Sequence, residues 1–273
     1  MKDKKKLISL LLPTLIIGVL LFFSASKPTR SEYGTDVIPT VFVHGYKGGE
    51  RSFSTMLHRF EQKNWGERQM LIRVSRNGKV NINGHVAGPK PMVQVIFENS
   101  RASLEQQTKW LRKVMKTLHS DFSVESVNLV SHSMGGLASA NYLVSNDTKQ
   151  PQVRNLAVIA SPFKGIDKAG YFQINQDAAA DDLQPQSDAL QQLTSKEIPH
   201  DIDVLSISGV INEEDSKAEH WDGLVHVTSS QAIKKMVSRG QLEKEIVYGP
   251  LATHSGLHEL PQVDQLVHDF LVQ

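Results

Sequence analysis

Along most of the chain, short apolar β-branched runs alternate with stretches whose apolar residues recur every three or four positions. The runs at 38–43, 93–97, 127–130, 156–160, 204–208 and 245–248 are predicted to be strands. The stretches at 53–62, 101–118, 134–144, 229–237 and 263–271 carry the helical spacing. Strand and helix in strict alternation is the signature of a mostly parallel sheet with flanking helices. One segment breaks the rule. Two extended runs, 71–75 and 79–83, flank Arg76-Asn77-Gly78, and Asn-Gly between such runs predicts an antiparallel hairpin, here at one edge of the sheet. A second irregular segment, 163–199, is polar and alanine-rich and is expected as a cap insertion.

The first 36 residues read differently. Lys2, Lys4, Lys5 and Lys6 precede an uncharged stretch from Leu7 to Phe23, followed by the small residues Ser24, Ala25 and Ser26. That is the pattern of a secretory signal, and its apolar run also approaches the length of a membrane anchor. Either outcome leaves the lysines inside and the body outside. Residues 1–26 are therefore expected to be a signal peptide or N-terminal anchor, 27–36 a polar linker, and 37–273 a single α/β domain. The expected location is extracellular, or anchored and facing outward, with membrane contact only through an uncleaved leader.

Composition narrows the function. A formal net charge of +1 gives no electrostatic case for nucleic acid as a partner. The chain has no cysteine, which excludes a disulfide framework, a thiolate metal site and a cysteine nucleophile. The densest chemistry is Ser131-His132-Ser133-Met134-Gly135-Gly136, between an apolar strand and a small-residue helix. A serine on a sharp strand-to-helix turn needs small residues two before and two after it, and Ser131 and Gly135 meet that need. Ser133 is the candidate nucleophile; the alternative is a plain helix cap.

That context belongs to the α/β-hydrolase fold, where the chain order is serine, acid, histidine. After the strand at 204–208 comes an acid-rich loop in which Asp222 precedes Gly223-Leu224-Val225, as an acid on a tight returning turn would. Asp215 is the alternative. The last strand leads to His254, with His258 as the second candidate base. The two histidines also have the spacing of a metal pair, but no third ligand is evident and Gly256 interrupts the helix a pair would need. No metal and no cofactor are expected. The first strand of the body runs into His44-Gly45-Tyr46. In this fold that loop faces the substrate and donates one backbone N–H to the oxyanion hole, and the residue after the nucleophile donates the other. By position the donors are Tyr46 and Met134, with His44 and Gly45 in the substrate loop.

The sequence resembles lipase-like α/β-hydrolases of Gram-positive bacteria, an often exported group long classed as a domain of unknown function. The likeness rests on Val43-His44-Gly45-Tyr46, Ser131 to Gly136, Asp222-Gly223-Leu224-Val225, and His254-Ser255-Gly256-Leu257-His258. It extends to the Asn77-Gly78 hairpin and to Glu98-Asn99. The resemblance implies a carboxylesterase acting on short acyl chains, with a small-molecule ester as substrate, and it favours His254 over His258. An acyltransferase with the same three residues, or a surface binding module on the same fold, remains the alternative.

Overall fold

A computed structural model describes residues 37–145, 150–216, 219–238 and 241–273. The expected leader and linker lie outside these residues. Eight strands form one sheet in the order β3-β2-β4-β1-β5-β6-β7-β8. They are β1 (Thr40–Val43), β2 (Glu67–Val74), β3 (Val80–Gly84), β4 (Pro91–Phe97), β5 (Ser126–His132), β6 (Gln152–Ile159), β7 (Asp203–Val210) and β8 (Leu242–Tyr248). Only β2 and β3 pair antiparallel, and β2 also pairs parallel with β4. The hairpin therefore adds one reversed strand to an otherwise parallel sheet. Its turn places Gly78 at φ 79°, where a side chain would be strained.

Strands buried on both faces need uninterrupted apolar runs, and β4 is buried along its whole length. One face is covered by α2 (Leu104–Phe122) and α3 (Met134–Leu143). Trp110, Leu111, Val114 and Leu118 of α2 pack there on Val41, Val95 and Leu129. The other face holds α1 (Arg51–Gln62) and α8 (Pro261–Leu271), whose Phe53, Leu57, Phe60, Val263 and Val267 surround Phe42 and Val130. A bidentate ion pair between Arg59 and the fully buried carboxylate of Asp264 joins α1 to α8.

Several strands start three or four residues before the expected runs, β2 at Glu67, β6 at Gln152 and β8 at Leu242, and two helices depart from expectation for a visible reason. The helix expected from 101 begins at Leu104, because the Ser103 hydroxyl accepts the Gln106 N–H at 3.2 Å and caps it there. The helix expected over 229–237 is instead a single turn, α7 (Val227–Ser230), followed by a 3₁₀ turn at Gln231–Lys235. Here the serines bond elsewhere: Ser229 donates to the Gly165 carbonyl at 2.7 Å, and Ser230 pairs with the Ser208 hydroxyl at 2.6 Å. Such bonds compete with helix propagation. Between β6 and β7, the segment expected as a cap carries α4 (Tyr171–Ile174), α5 (Ala178–Asp182) and α6 (Asp188–Thr194). Among the described residues, no helix is long and apolar enough to cross a membrane.

Candidate active site

β5 ends at His132, and the next residue, Ser133, sits at φ 54° and ψ −127°. A non-glycine residue holds such a backbone only when its surroundings impose it. Here the Ser133 N–H is held by the Ile159 carbonyl at 2.8 Å, and its carbonyl accepts the Gly136 N–H at 3.0 Å. The space for the turn is made by glycines. A Cβ on Gly135 would stand 2.5 Å from the carbonyl oxygens of both Val43 and His44, and one on Gly45 would stand 2.7 Å from the Ser133 Cβ. The Ser133 side chain does not cap α3. Its Oγ lies 3.0 Å from Nε2 of His254.

Asp222 follows β7 on a turn that includes Gly223 at φ 88°. One oxygen, Oδ1, accepts the N–H groups of Leu224 at 2.9 Å and Val225 at 2.7 Å. The other, Oδ2, lies 2.8 Å from Nδ1 of His254. The backbone helps as well, since the His254 N–H donates to the Asp222 carbonyl at 2.8 Å. An acceptor-only carboxylate at Nδ1 selects the tautomer with its proton there. Nε2 is left as the acceptor facing the serine hydroxyl. The structure thus joins Ser133, His254 and Asp222 in one hydrogen-bonded line, with Asp222 only 2 % exposed.

The alternatives lie off that line. Asp215 accepts the Asn212 amide at 2.8 Å in the same long loop. His258 pairs with Glu259 at 2.9 Å, and burial holds its imidazole below the usual histidine range. Among the described residues, no group of three or more His, Asp or Glu side chains could hold a metal ion.

His44 departs from the expectation of a substrate-facing residue: its side chain is buried and does not line the cleft at Ser133, whereas Gly45 does. Its Nε2 accepts the Phe97 N–H at 3.0 Å, and its Nδ1 donates to the Gly45 carbonyl at 2.9 Å. The ring thereby ties the end of β1 to the end of β4 and fixes the loop from beneath. Burial pushes its pKa down, which keeps Nε2 an acceptor.

Tyr46 and Met134 flank the serine. Met134 is the first residue of α3, so its N–H has no acceptor within the helix. The Tyr46 side chain reaches away to the β6–β7 segment, where its hydroxyl donates to Asp177 at 2.8 Å. Arg101 donates to the same carboxylate at 2.7 Å, and the Tyr46 pKa rises through burial first and the Asp177 bond second.

Two contributors were not visible from sequence. His132 donates from Nε2 to the His254 carbonyl at 2.9 Å, and its ring lies 4.8 Å from both the His254 and His258 rings. Burial, with smaller effects from His254 and His258, holds its pKa well below the usual value. The second contributor is the Tyr46–Asp177–Arg101 tie. His132 could have been suspected from its place between Ser131 and Ser133; nothing local marks Asp177.

These elements frame a cleft of about 440 Å³ floored by Ser133 and His254, with Ile166, Tyr171, Leu183 and Leu224 as a largely apolar wall. Residues 27–273 match the family described as alpha/beta hydrolase of unknown function (DUF915). The chain belongs to this family. None of the curated proteins compared matches it. Among solved structures, this α/β-hydrolase is similar to the product of gene lin2722 from Listeria innocua, at 27% identity and a TM-score of 0.71, over 86% of this chain and 94% of that one. A protein from Lactobacillus plantarum WCFS1 proposed to be a cell surface hydrolase has a TM-score of 0.63 at 17% identity, covering 88% and 92%. Bacillus licheniformis lipase BlEst2 has 0.54 at 16%, covering 88% and 96%. At those identities the last two show the shared fold alone.

Proposed function

We propose that this hydrolase is a serine carboxylesterase that cleaves esters of short acyl chains, with Ser133 as nucleophile, His254 as general base and acid, and Asp222 as its orienting acid. The observation that carries the reading is the His254 imidazole, bridged between Asp222 at 2.8 Å and the Ser133 Oγ at 3.0 Å. Ser133 Oγ attacks the ester carbonyl while Nε2 of His254 takes its proton. The backbone N–H groups of Tyr46 and Met134 receive the oxyanion, a contribution typically worth ~3 kcal/mol per donor. The tetrahedral intermediate collapses, His254 returns the proton to the departing alcohol, and water then repeats the cycle on the acyl-enzyme. The modest cleft, about 440 Å³ and part polar, supports small esters over long-chain lipids. The lysine-flanked apolar stretch at 7–23 supports export, with membrane attachment through that stretch if it is retained.

A fluorophosphonate probe should label the wild type on Ser133, and Ser133→Ala should abolish both labelling and ester turnover in protein that remains folded. A panel of acyl lengths should favour chains of about six carbons or fewer over longer ones. Absence of a covalent adduct on folded wild type would remove the esterase reading and leave a binding module.

A further inference from the structure

The cleft has an unbalanced charge. Among the described residues lining it, two carry formal charge, Lys47 and Arg51, both positive, and none is Asp or Glu. Asp222 is behind the imidazole and nearly inaccessible. Lys47 follows Tyr46 in the loop beside the nucleophile, at φ 58°, a left-handed backbone that costs a lysine energy and therefore reflects a loop held in place. Its Nζ is not neutralised there. It donates to the amide oxygen of Asn175 and lies 5.1 Å from the Tyr46 ring centroid, both uncharged partners. Asp177, which shares the Tyr46 hydroxyl with Asn175, is already engaged by Arg101 at 2.7 Å. Arg51 opens α1 with an exposed side chain, and among the described residues no carboxylate pairs with it.

Lys47 and Arg51 are both exposed, so water and salt screen their field, but with no acid among the lining residues to balance them they still set a local positive potential at the cleft mouth. A neutral substrate gains nothing from that field. An anionic one is drawn in and oriented.

We propose that the esters this cleft takes carry a negative charge a few atoms from the scissile carbonyl, received by Lys47 and Arg51. This inference rests on the esterase reading above and names its substrate class. The same two cations receive an anion on either side of the ester bond, acid or alcohol.

The test compares matched pairs: 4-nitrophenyl hemiadipate against its methyl ester for an acyl-side charge, and 4-acetoxybenzoate against its methyl ester for an alcohol-side charge. Each rate is divided by its rate with hydroxide. In at least one pair the anionic member should have a tenfold or greater advantage in kcat/KM at low salt. That advantage should shrink in 1 M salt and fall at least fivefold in the Lys47→Gln/Arg51→Ala double variant. Lys47→Gln keeps a donor for Asn175, and Arg51 is exposed, so the fold is not at stake in either. Turnover of the neutral esters with no anionic preference in either pair, or a preference unchanged in the double variant, overturns the inference and leaves the esterase standing. Calorimetry on Ser133→Ala separates the two claims in the other direction. Tighter binding of the anionic member of a pair, in a protein whose wild type hydrolyses none of the four esters, would support the anion site and sink the esterase.

Discussion

Asp222 meets His254 through both side chain and backbone: Oδ2 stands 2.8 Å from Nδ1, and the Asp222 carbonyl accepts the His254 N–H at 2.8 Å. The other carboxylate oxygen is held by two N–H groups of the same turn. The acid is thus fixed independently of the histidine, and the histidine is fixed by the acid. Replacing the acid therefore changes chemistry before it changes shape.

Asp222→Asn isolates that chemistry. Its amide oxygen can keep the Leu224 and Val225 bonds, which turns its NH₂ toward Nδ1 of His254. The imidazole must then accept at Nδ1 and carry its proton on Nε2, where it cannot take one from Ser133. The variant should fold, keep its thermal midpoint within a few degrees, and lose about 10³–10⁴-fold in kcat. Asp222→Ala should lose activity and also stability, because two buried N–H groups lose their acceptor. Parallel thermal melts and ester assays distinguish the two.

His132 is a positioning residue for the same imidazole. Its Nε2–H holds the His254 carbonyl at 2.9 Å, so the loop carrying His254 is tied to the strand that leads into Ser133. His132→Phe keeps a ring in the space and removes the bond. Ester kcat, and the rate at which a fluorophosphonate inactivates Ser133, should both fall about tenfold, equivalent to roughly 1.4 kcal/mol, with KM little changed. An unchanged inactivation rate would show that the bond only supports the fold.

Much of this was legible locally. Apolar runs marked six of the strands, and Asn77-Gly78 between two extended runs marked the antiparallel pair β2 and β3, because strand burial and turn chemistry are written in neighbouring residues. Gly223 beside Asp222 signalled a tight turn, and the small residues around Ser133 signalled the sharp one. Side chains that cross the fold were not legible. Tyr46 meets Asp177 and His132 meets His254 only once the sheet has brought β1, β5 and the later loops side by side. His44 looked like a site residue because it precedes Gly45, yet its ring turns inward to Phe97; sequence position gives the strand end, not the side-chain direction. The broken helix after Val227 was missed because Ser229 and Ser230 find partners more than twenty residues away.

Gly135 tests how tightly the elbow is built. A methyl group there would meet two backbone carbonyl oxygens of β1 and the loop after it at 2.5 Å, and backbone cannot step aside as a flexible side chain can. Gly135→Ala should destabilise by about 2–3 kcal/mol, lowering Tm by roughly 5–10 °C in a domain of this size. Activity should fall further than stability, since the push acts on the loop bearing Gly45 and Tyr46. A differential scanning trace matching wild type would show that the β1 end yields more easily than this geometry implies.

Acid should unfold the protein through its histidines. His44, His132 and His258 all have imidazoles held below the usual value by burial. The unfolded chain then binds protons that the folded chain refuses. Their contribution is fully present above about pH 6.5 and is lost as pH falls from there toward the lowered folded values. Each histidine supplies a slope of at most roughly 1.4 kcal/mol per pH unit in that window. The carboxyls of Asp182 and Asp264, raised by their own burial, act with the opposite sign, because there the folded chain holds the extra proton. A difference measurement removes them. Guanidinium unfolding at pH 7.5, 6.5, 5.5 and 5.0 should show wild-type stability falling below pH 6.5, and His132→Phe should fall less steeply by about the share of one histidine. Equal slopes in the two proteins would mean that His132 takes up its proton without leaving the fold, and that the bond to the His254 carbonyl survives on an imidazolium.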